Sequence, residues 1–127
     1  MILVDTSVII DFLRQKDKTK TWLYTLAQSS QMLSVSIITH TELYASKSIW
    51  EKPKALPEMR TIFSGLNLIP LTEAMSVKAG KYATIQDLHL IDAIIAATAT
   101  VGKHRLATLN QKHFQKIPHL KLLTPSH

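Results

Sequence analysis

Short β-rich runs alternate with helical stretches along the whole chain, and that alternation limits the fold more than any other feature. Ile2-Leu3-Val4 reads as a strand ending at Asp5, followed by a helix over residues 6–13. A helix over 20–30, a strand over 32–36, a helix over 38–51 and a shorter one after Pro57, up to Gly65, come next. Residues 66–71 form a third strand, and 73–87 an amphipathic helix with Ala74, Val77 and Tyr82 as core contacts. The almost wholly apolar stretch 90–101 predicts a buried helix stopped by Gly102, a common helix terminator. Residues 105–109 make a fourth strand and 120–123 a short fifth. Strands separated by helices require crossover connections, hence a mainly parallel sheet covered on both faces. Such sheets bind ligands beyond the C-terminal ends of their strands. Asp5 ends strand one and Asn110 ends strand four, at the same rim.

A chain of 127 residues suits one domain, spanning residues 1–127, with a substantial apolar core. With 46% apolar and 19% charged residues, and only 3 Gly and 5 Pro, disordered and collagen-like classes are excluded. The absence of Cys removes disulfides, thiolate zinc sites and thiol nucleophiles, so any metal must be held by oxygen or imidazole. A formal charge of +6 points to an anionic partner. Asp5 and Asp11 interrupt the apolar N-terminus and no basic region precedes it, which does not fit a secretory signal. The apolar stretch 88–102 is shorter than the ~20 residues of a membrane span. The expectation is a soluble, cytoplasmic protein without membrane contact.

Three carboxylates stand in apolar company. Asp5 is the only charged residue in 1–10, Glu42 the only formally charged one in 29–46, and Asp92 the only one in 88–102. A carboxylate on a helix that is apolar all round is expected to be partly buried. Burial without a partner costs several kcal/mol unless the group protonates or finds a counter-ion, and no Lys or Arg lies inside these windows. Three acids at one rim repel one another, and a divalent cation is the simplest remedy. Each acid also fits a plainer role: Asp5 and Asp92 as helix N-caps, Glu42 on a solvated helix face.

The segments carrying these acids form a recognisable set. "VDTSVIIDFL", "SIITHTELYAS", "LIDAIIAATAT" and "LATLNQKHFQKIPHLKL" occur in that order. Together they resemble the PIN-domain family, and within it the small VapC-like toxin ribonucleases of type II toxin–antitoxin systems. The resemblance implies a three-layer α/β/α sandwich around a mainly parallel sheet of four to five strands. It also implies a metal-dependent endoribonuclease using Mg²⁺ or Mn²⁺. Asp5, Glu42 and Asp92 match the family's metal-binding acids, and Asn110 joins them as a catalytic candidate. Thr6 or Ser7 matches the small hydroxyl residue after the first acid, and Thr108 opens the C-terminal motif. That motif often carries a fourth acid; here Asn110 and His113 occupy both places where it would stand, which puts a second metal in doubt. Carboxylate oxygens suit hard cations that keep positions open for phosphate.

Basic residues supply candidate phosphate contacts. Arg14, Lys16, Lys18 and Lys20 follow the first helix, and Lys103, Arg105, Lys112 and Lys116 flank the fourth strand. A solvated surface explains any single Lys equally well, but together they suit RNA phosphates. His40 and His89 lie near Glu42 and Asp92 in sequence and read as surface or supporting groups. The resemblance further implies a homodimer and a small antitoxin with a DNA-binding N-terminus. Trp22, Tyr24, Ile49, Trp50 and Phe63 are candidates for an apolar groove that takes an amphipathic helix, or for ordinary core. The rival reading is a catalytically degenerate PIN-fold protein that binds nucleic acid or acts as a DNA-bound regulatory subunit.

Overall fold

A computed structural model describes residues 1–125. Its five strands are β1 (Ile2–Val4), β2 (Leu33–Ser36), β3 (Asn67–Ile69), β4 (Arg105–Ala107) and β5 (Leu122–Leu123). They form one parallel sheet in the order β3-β2-β1-β4-β5. β1 lies at the centre, pairing Leu3 with Ser34 on one side and with Leu106 on the other. A central strand covered on both faces needs a continuous apolar run rather than an alternating one, and Ile2, Leu3 and Val4 are all buried.

The helices are α1 (Thr6–Arg14), α2 (Trp22–Gln28), α3 (Ile37–Tyr44), α4 (Lys47–Glu51), α5 (Ala55–Ser64), α6 (Glu73–Ile85), α7 (Leu90–Gly102) and α8 (Gln111–Phe114), with a 3-10 turn at Lys18–Lys20. Side chains alternate across a strand, so β1 and β4 feed two cores. Ile2, Val4 and Ala107 pack with Val8 and Ile9 of α1, Leu23 and Leu26 of α2, and Met59 of α5. Leu3 and Leu106 pack against α6, α7 and Phe114. The result is the three-layer α/β/α sandwich.

α7 is enclosed from Ala93 to Ala99. Its alanines allow close approach of α6 on one side and the sheet on the other. Thr98 stays satisfied there by donating to the Ile94 carbonyl at 2.7 Å. The α6 face pressed on it carries Met75, Ala79 and Tyr82, and the Tyr82 hydroxyl meets Thr100 Oγ1 at 3.1 Å. Ala74 and Val77, expected in the core, are exposed, Val77 at 70%. Two apolar stripes of helical spacing run side by side on α6, and packing against α7 selects the other one.

The helix expected over 38–51 is two helices. The chain breaks at Ala45 and Ser46, and Ser46 takes extended dihedrals as the residue before α4. Trp50 Nε1 then donates to the Tyr44 carbonyl at 2.9 Å, satisfying one of the acceptors freed at the end of α3. α5 begins ahead of Pro57, which occupies the first turn where its missing N–H is not needed. The helix expected over 20–30 is trimmed to α2, capped by Thr21, whose Oγ1 accepts from the Tyr24 amide at 3.3 Å.

Gly102 does not terminate α7 by adopting a left-handed conformation. That conformation falls to Lys103, at φ 57°. A Cβ on Gly102 would stand 2.5 Å from His104 Cδ2, so glycine is needed here to make room for that ring. No helix among the described residues is long and apolar enough to cross a membrane.

Candidate active site

Because β2 lies on one side of β1 and β4 on the other, the strand order reverses beside β1. The crevice beyond the C-terminal ends of β1 and β4 is where such a sheet accepts ligands. A cleft of about 710 Å³ opens there, lined by Asp5, Ser7, Glu42, His89, Asp92, Asn110 and His113 among others.

Asp5 forms its floor. The residue is 3% exposed, and its amide donates to the Ala107 carbonyl at 2.9 Å, extending the β1–β4 ladder by one step. It stands at the N-cap position of α1, yet its side chain makes no capping bond. The carboxylate instead receives two hydroxyl donors on Oδ2, Ser7 Oγ at 2.7 Å and Thr108 Oγ1 at 2.8 Å. Each hydroxyl is itself oriented by a backbone amide: Leu109 N–H donates to Ser7 Oγ at 3.1 Å and Asn110 N–H to Thr108 Oγ1 at 2.9 Å. These relays aim both hydroxyl protons at one oxygen. Oδ1 accepts no hydrogen bond among the described residues.

Asp92 enters from the first turn of α7, whose N-cap is His89, so Asp92 does not cap the helix. Its side chain is 24% exposed, and Oδ2 lies 3.2 Å from His113 Nδ1 on α8. Burial raises its pKa above the ordinary carboxylate value, and the charge of Asp5 adds to that rise. His113 and His89 pull in the opposite direction without cancelling it.

Glu42 stands on α3 at the edge of the cleft and is exposed, as a solvated helix face predicts. α3 is tied to α1 one turn earlier, where Thr6 Oγ1 and Thr39 Oγ1 meet at 2.9 Å in a buried pair. Thr6 therefore braces two helices, while Ser7 contacts the carboxylate. Asn110 lines the cleft, exposed, with its side chain making no capping bond to α8.

Sequence reasoning missed two acid-side features. Asp11, one turn beyond Ser7, also lines the cleft; its less apolar neighbours had hidden it. His113 contacts Asp92 directly, and the signal for it was its position in the C-terminal motif where an acid often stands. His40, by contrast, packs between Tyr44 and Phe63, 4.6 Å from each ring.

The basic candidates divide. Arg14 lines the cleft, and Lys112 and Lys116 border an adjoining hollow that shares His89, Asp92 and His113 with it. Lys16 is exposed in the turn after α1. Lys103 and Arg105 lie at the start of β4 and line a different cavity at the opposite end of the sheet. They do not approach the acidic rim, because residues preceding a parallel strand lie at its other end.

The five aromatic and apolar groove candidates do not share one groove. Ile49 is buried, Trp50 is 67% exposed, and Phe63 packs on His40 and Tyr44. Only Tyr24 of the five lines the apolar groove of about 580 Å³ between α1, α2 and α5, with Phe12, Leu23, Ile62 and Leu66.

Among the described residues no three His, Asp or Glu side chains stand close enough to enclose a metal ion by themselves. Two carboxylates, Asp5 and Asp92, line one cleft, and the charge of Asp5 acts on Asp92. That matches the way Mg²⁺ is commonly held, by one or two carboxylates with waters and substrate phosphate completing the shell.

Comparison with known proteins identifies relatives of the whole chain. Ribonuclease VapC10 of Mycobacterium tuberculosis is 32% identical over 126 residues, 95% of this chain and 91% of the relative. A toxin–antitoxin complex from Klebsiella pneumoniae superposes with a TM-score of 0.74 at 27% identity, covering 93% of each chain. The fold alone is shared with VapBC2 from Rickettsia felis, solved bound to a promoter DNA fragment, at a TM-score of 0.79 and 22% identity over 99% of this chain and 100% of that one. Residues 2–120 match the PIN domain, and the chain belongs to the PIN-domain family.

Proposed function

We propose that this chain is a metal-dependent endoribonuclease and the toxin of a toxin–antitoxin pair, with the acidic cleft as its active site. The observation that carries the reading is Asp5: a buried carboxylate with two aligned hydroxyl donors on one oxygen and, among the described residues, no hydrogen-bond partner on the other. Such preorganisation, in a cleft shared with Asp92 and Glu42, suits a cation and a phosphate better than it suits a structural role. The ribonuclease VapC relative and the toxin–antitoxin complex support the same assignment.

Asp5 and Asp92 would hold one Mg²⁺ or Mn²⁺, with Glu42 and Asn110 in the same cleft available to it. When bound, such an ion lowers the pKa of water and offsets charge on the scissile phosphate. Ser7 and Thr108 keep Asp5 in one orientation, as supporting groups around metal-binding carboxylates do. His113 steadies Asp92 and, with His89, offsets the repulsion between the two acids. Arg14 at the cleft, Lys112 and Lys116 at the adjoining hollow, and the exposed Lys16 would hold RNA phosphates flanking the cut. Water attack in line with the leaving oxygen gives 3′-hydroxyl and 5′-phosphate ends. The apolar groove beside Tyr24 suits an amphipathic antitoxin segment; a homodimer and a DNA-binding antitoxin N-terminus complete the assembly.

The test is cleavage of a mixed pool of structured RNAs by the protein and by Asp92→Asn, with Mg²⁺, Mn²⁺ or EDTA. Discrete cuts that need the metal and vanish in the variant are expected. RNA binding with no cut under any metal, together with no heat of metal binding by calorimetry, would overturn the reading in favour of a nucleic-acid-binding subunit.

A further inference from the structure

The end of the sheet opposite the acidic cleft carries a cavity of about 490 Å³ whose lining includes Lys103, His104, Arg105, His119 and Lys121 and no acidic residue. Among the described residues, none of Lys103, Arg105 and Lys121 has a carboxylate within ion-pair distance. Of the three non-glycine residues with positive φ, Lys103 at 57° and His119 at 65° both line it. For Lys103 that conformation ends α7; at His119 it is uncommon for a residue other than glycine. Finally, His104 is 8% exposed, and its Nδ1 is the one buried side-chain nitrogen or oxygen without a partner among the described residues.

Helix α7 ends here, and its C-terminal carbonyls bring roughly half a negative charge. The Lys103 and His104 amides already answer two of them, donating to Thr100 and Ala99. That leaves the cationic side chains of Lys103, Arg105 and Lys121, with the Met1 amino group beside them, around a concavity with a smaller opposing dipole. Interaction with the helix end accounts for one cation, not for three converging with an imidazole.

We propose that this cavity is a second phosphate-binding site, holding backbone phosphates of an RNA whose scissile bond lies in the acidic cleft. The inference rests on the nuclease reading for its choice of RNA. The site makes no base-specific contact; it adds affinity and orients a long substrate, because phosphate contacts position without reading sequence. Arg105 begins β4 and Lys121 immediately precedes β5, its neighbour, so a strand of RNA crossing that end of β4 and β5 meets both.

The experiment is binding of a fluorescent 20-nucleotide RNA in EDTA, where no cleavage occurs, across a salt series. The wild type is compared with K103A/R105A/K121A, folding being checked by circular dichroism. Each lost phosphate contact lowers the slope of log affinity against log salt by about 0.7 for single strands, so a fall of about 2 is expected. A second readout is the His104 ring resonance by NMR, expected to shift when the RNA is added to wild type. An unchanged slope in the folded variant overturns the proposal. So does a His104 shift produced by inorganic phosphate but not by RNA, which would make the site one for free phosphate. Wild-type protein that shows the slope difference but never cuts RNA with metal present would retain this site and remove the nuclease reading. Cleavage without the slope difference does the reverse.

Discussion

Thr108 donates a 2.8 Å hydrogen bond to Asp5 across 103 residues of sequence, joining the residues that follow the two central strands β1 and β4. The bond exists because the parallel register sets Val4 beside Ala107, so the next residues on each strand leave the sheet together. Thr108 is fully buried and its Oγ1 also accepts from the Asn110 amide. Thr108→Val keeps the shape and removes both bonds. The expected cost is about 1–3 kcal/mol of stability from unpaired polar groups, and a loss of activity of roughly 10- to 100-fold, as for other groups that orient metal-binding carboxylates. Thr108→Ser should recover most of the activity. Denaturant melts and cleavage rates check both.

Asp92 gives a pH prediction. Its pKa is raised in the folded protein, chiefly by burial. A raised value means the stability contribution is complete below the ordinary carboxylate pKa and is lost as pH rises through the folded value. At neutral pH the buried charge therefore costs stability. Asp92→Asn should melt at a higher temperature than wild type at pH 7, with the difference closing as the pH falls below about 4. Mg²⁺ should raise the wild-type melting temperature more than that of the variant, because a ligand stabilises only the form that binds it. Melting curves across pH, with and without Mg²⁺, provide the check.

His113 touches the same carboxylate from α8. His113→Ala removes an interaction that holds the Asp92 pKa down. The acid limb of the pH–rate profile should move to higher pH, while the neutral-pH rate at saturating metal falls less than in Asp5→Asn. An acid limb unmoved by the substitution would mean that the contact does not bear on Asp92.

Two glycines in neighbouring helices should respond in opposite directions. Gly102→Ala drives a Cβ to 2.5 Å from His104, and overpacking of this kind costs about 1–3 kcal/mol. Gly80 sits inside α6 with nothing within 4 Å of an added Cβ. Gly80→Ala should stabilise by about 0.5–1 kcal/mol through helix propensity. Thermal melts of the two single variants separate the effects.

The sheet was readable from sequence because short runs of strand-forming residues alternate with helices, β1 being wholly apolar, and an all-parallel arrangement leaves few other places for such runs. The burial of Asp5 and the partial burial of Asp92 were readable for a related reason, since a charge inside an apolar window is drawn inward with it; Glu42 sits in a similar window yet is exposed, because its position on α3 faces solvent. The face of α6 was not, since Ala74–Val77 and Met75–Ala79–Tyr82 are equally periodic and only the surface of α7 distinguishes them. The separation of Lys103 and Arg105 from the cleft follows from order along β4: residues at the start of a parallel strand lie at the end opposite the rim, so flanking the strand was too coarse a criterion. The contacts that shape the site, Thr108 with Asp5 and His113 with Asp92, are long-range and follow from strand register and the placement of α8.

The most direct test of the central claim is the single-turnover cleavage rate of one RNA, with Mn²⁺ or Mg²⁺ saturating, for wild type and Asp5→Asn of equal thermal stability. If Asp5 is the floor of a nuclease site, the wild type cuts, EDTA stops it, and the variant is slower by a factor of about 100 or more, the size of effect seen when a preorganised charge-stabilising group is removed. Equal rates for the two proteins would contradict the account and move the chemistry away from the cleft at the end of β1.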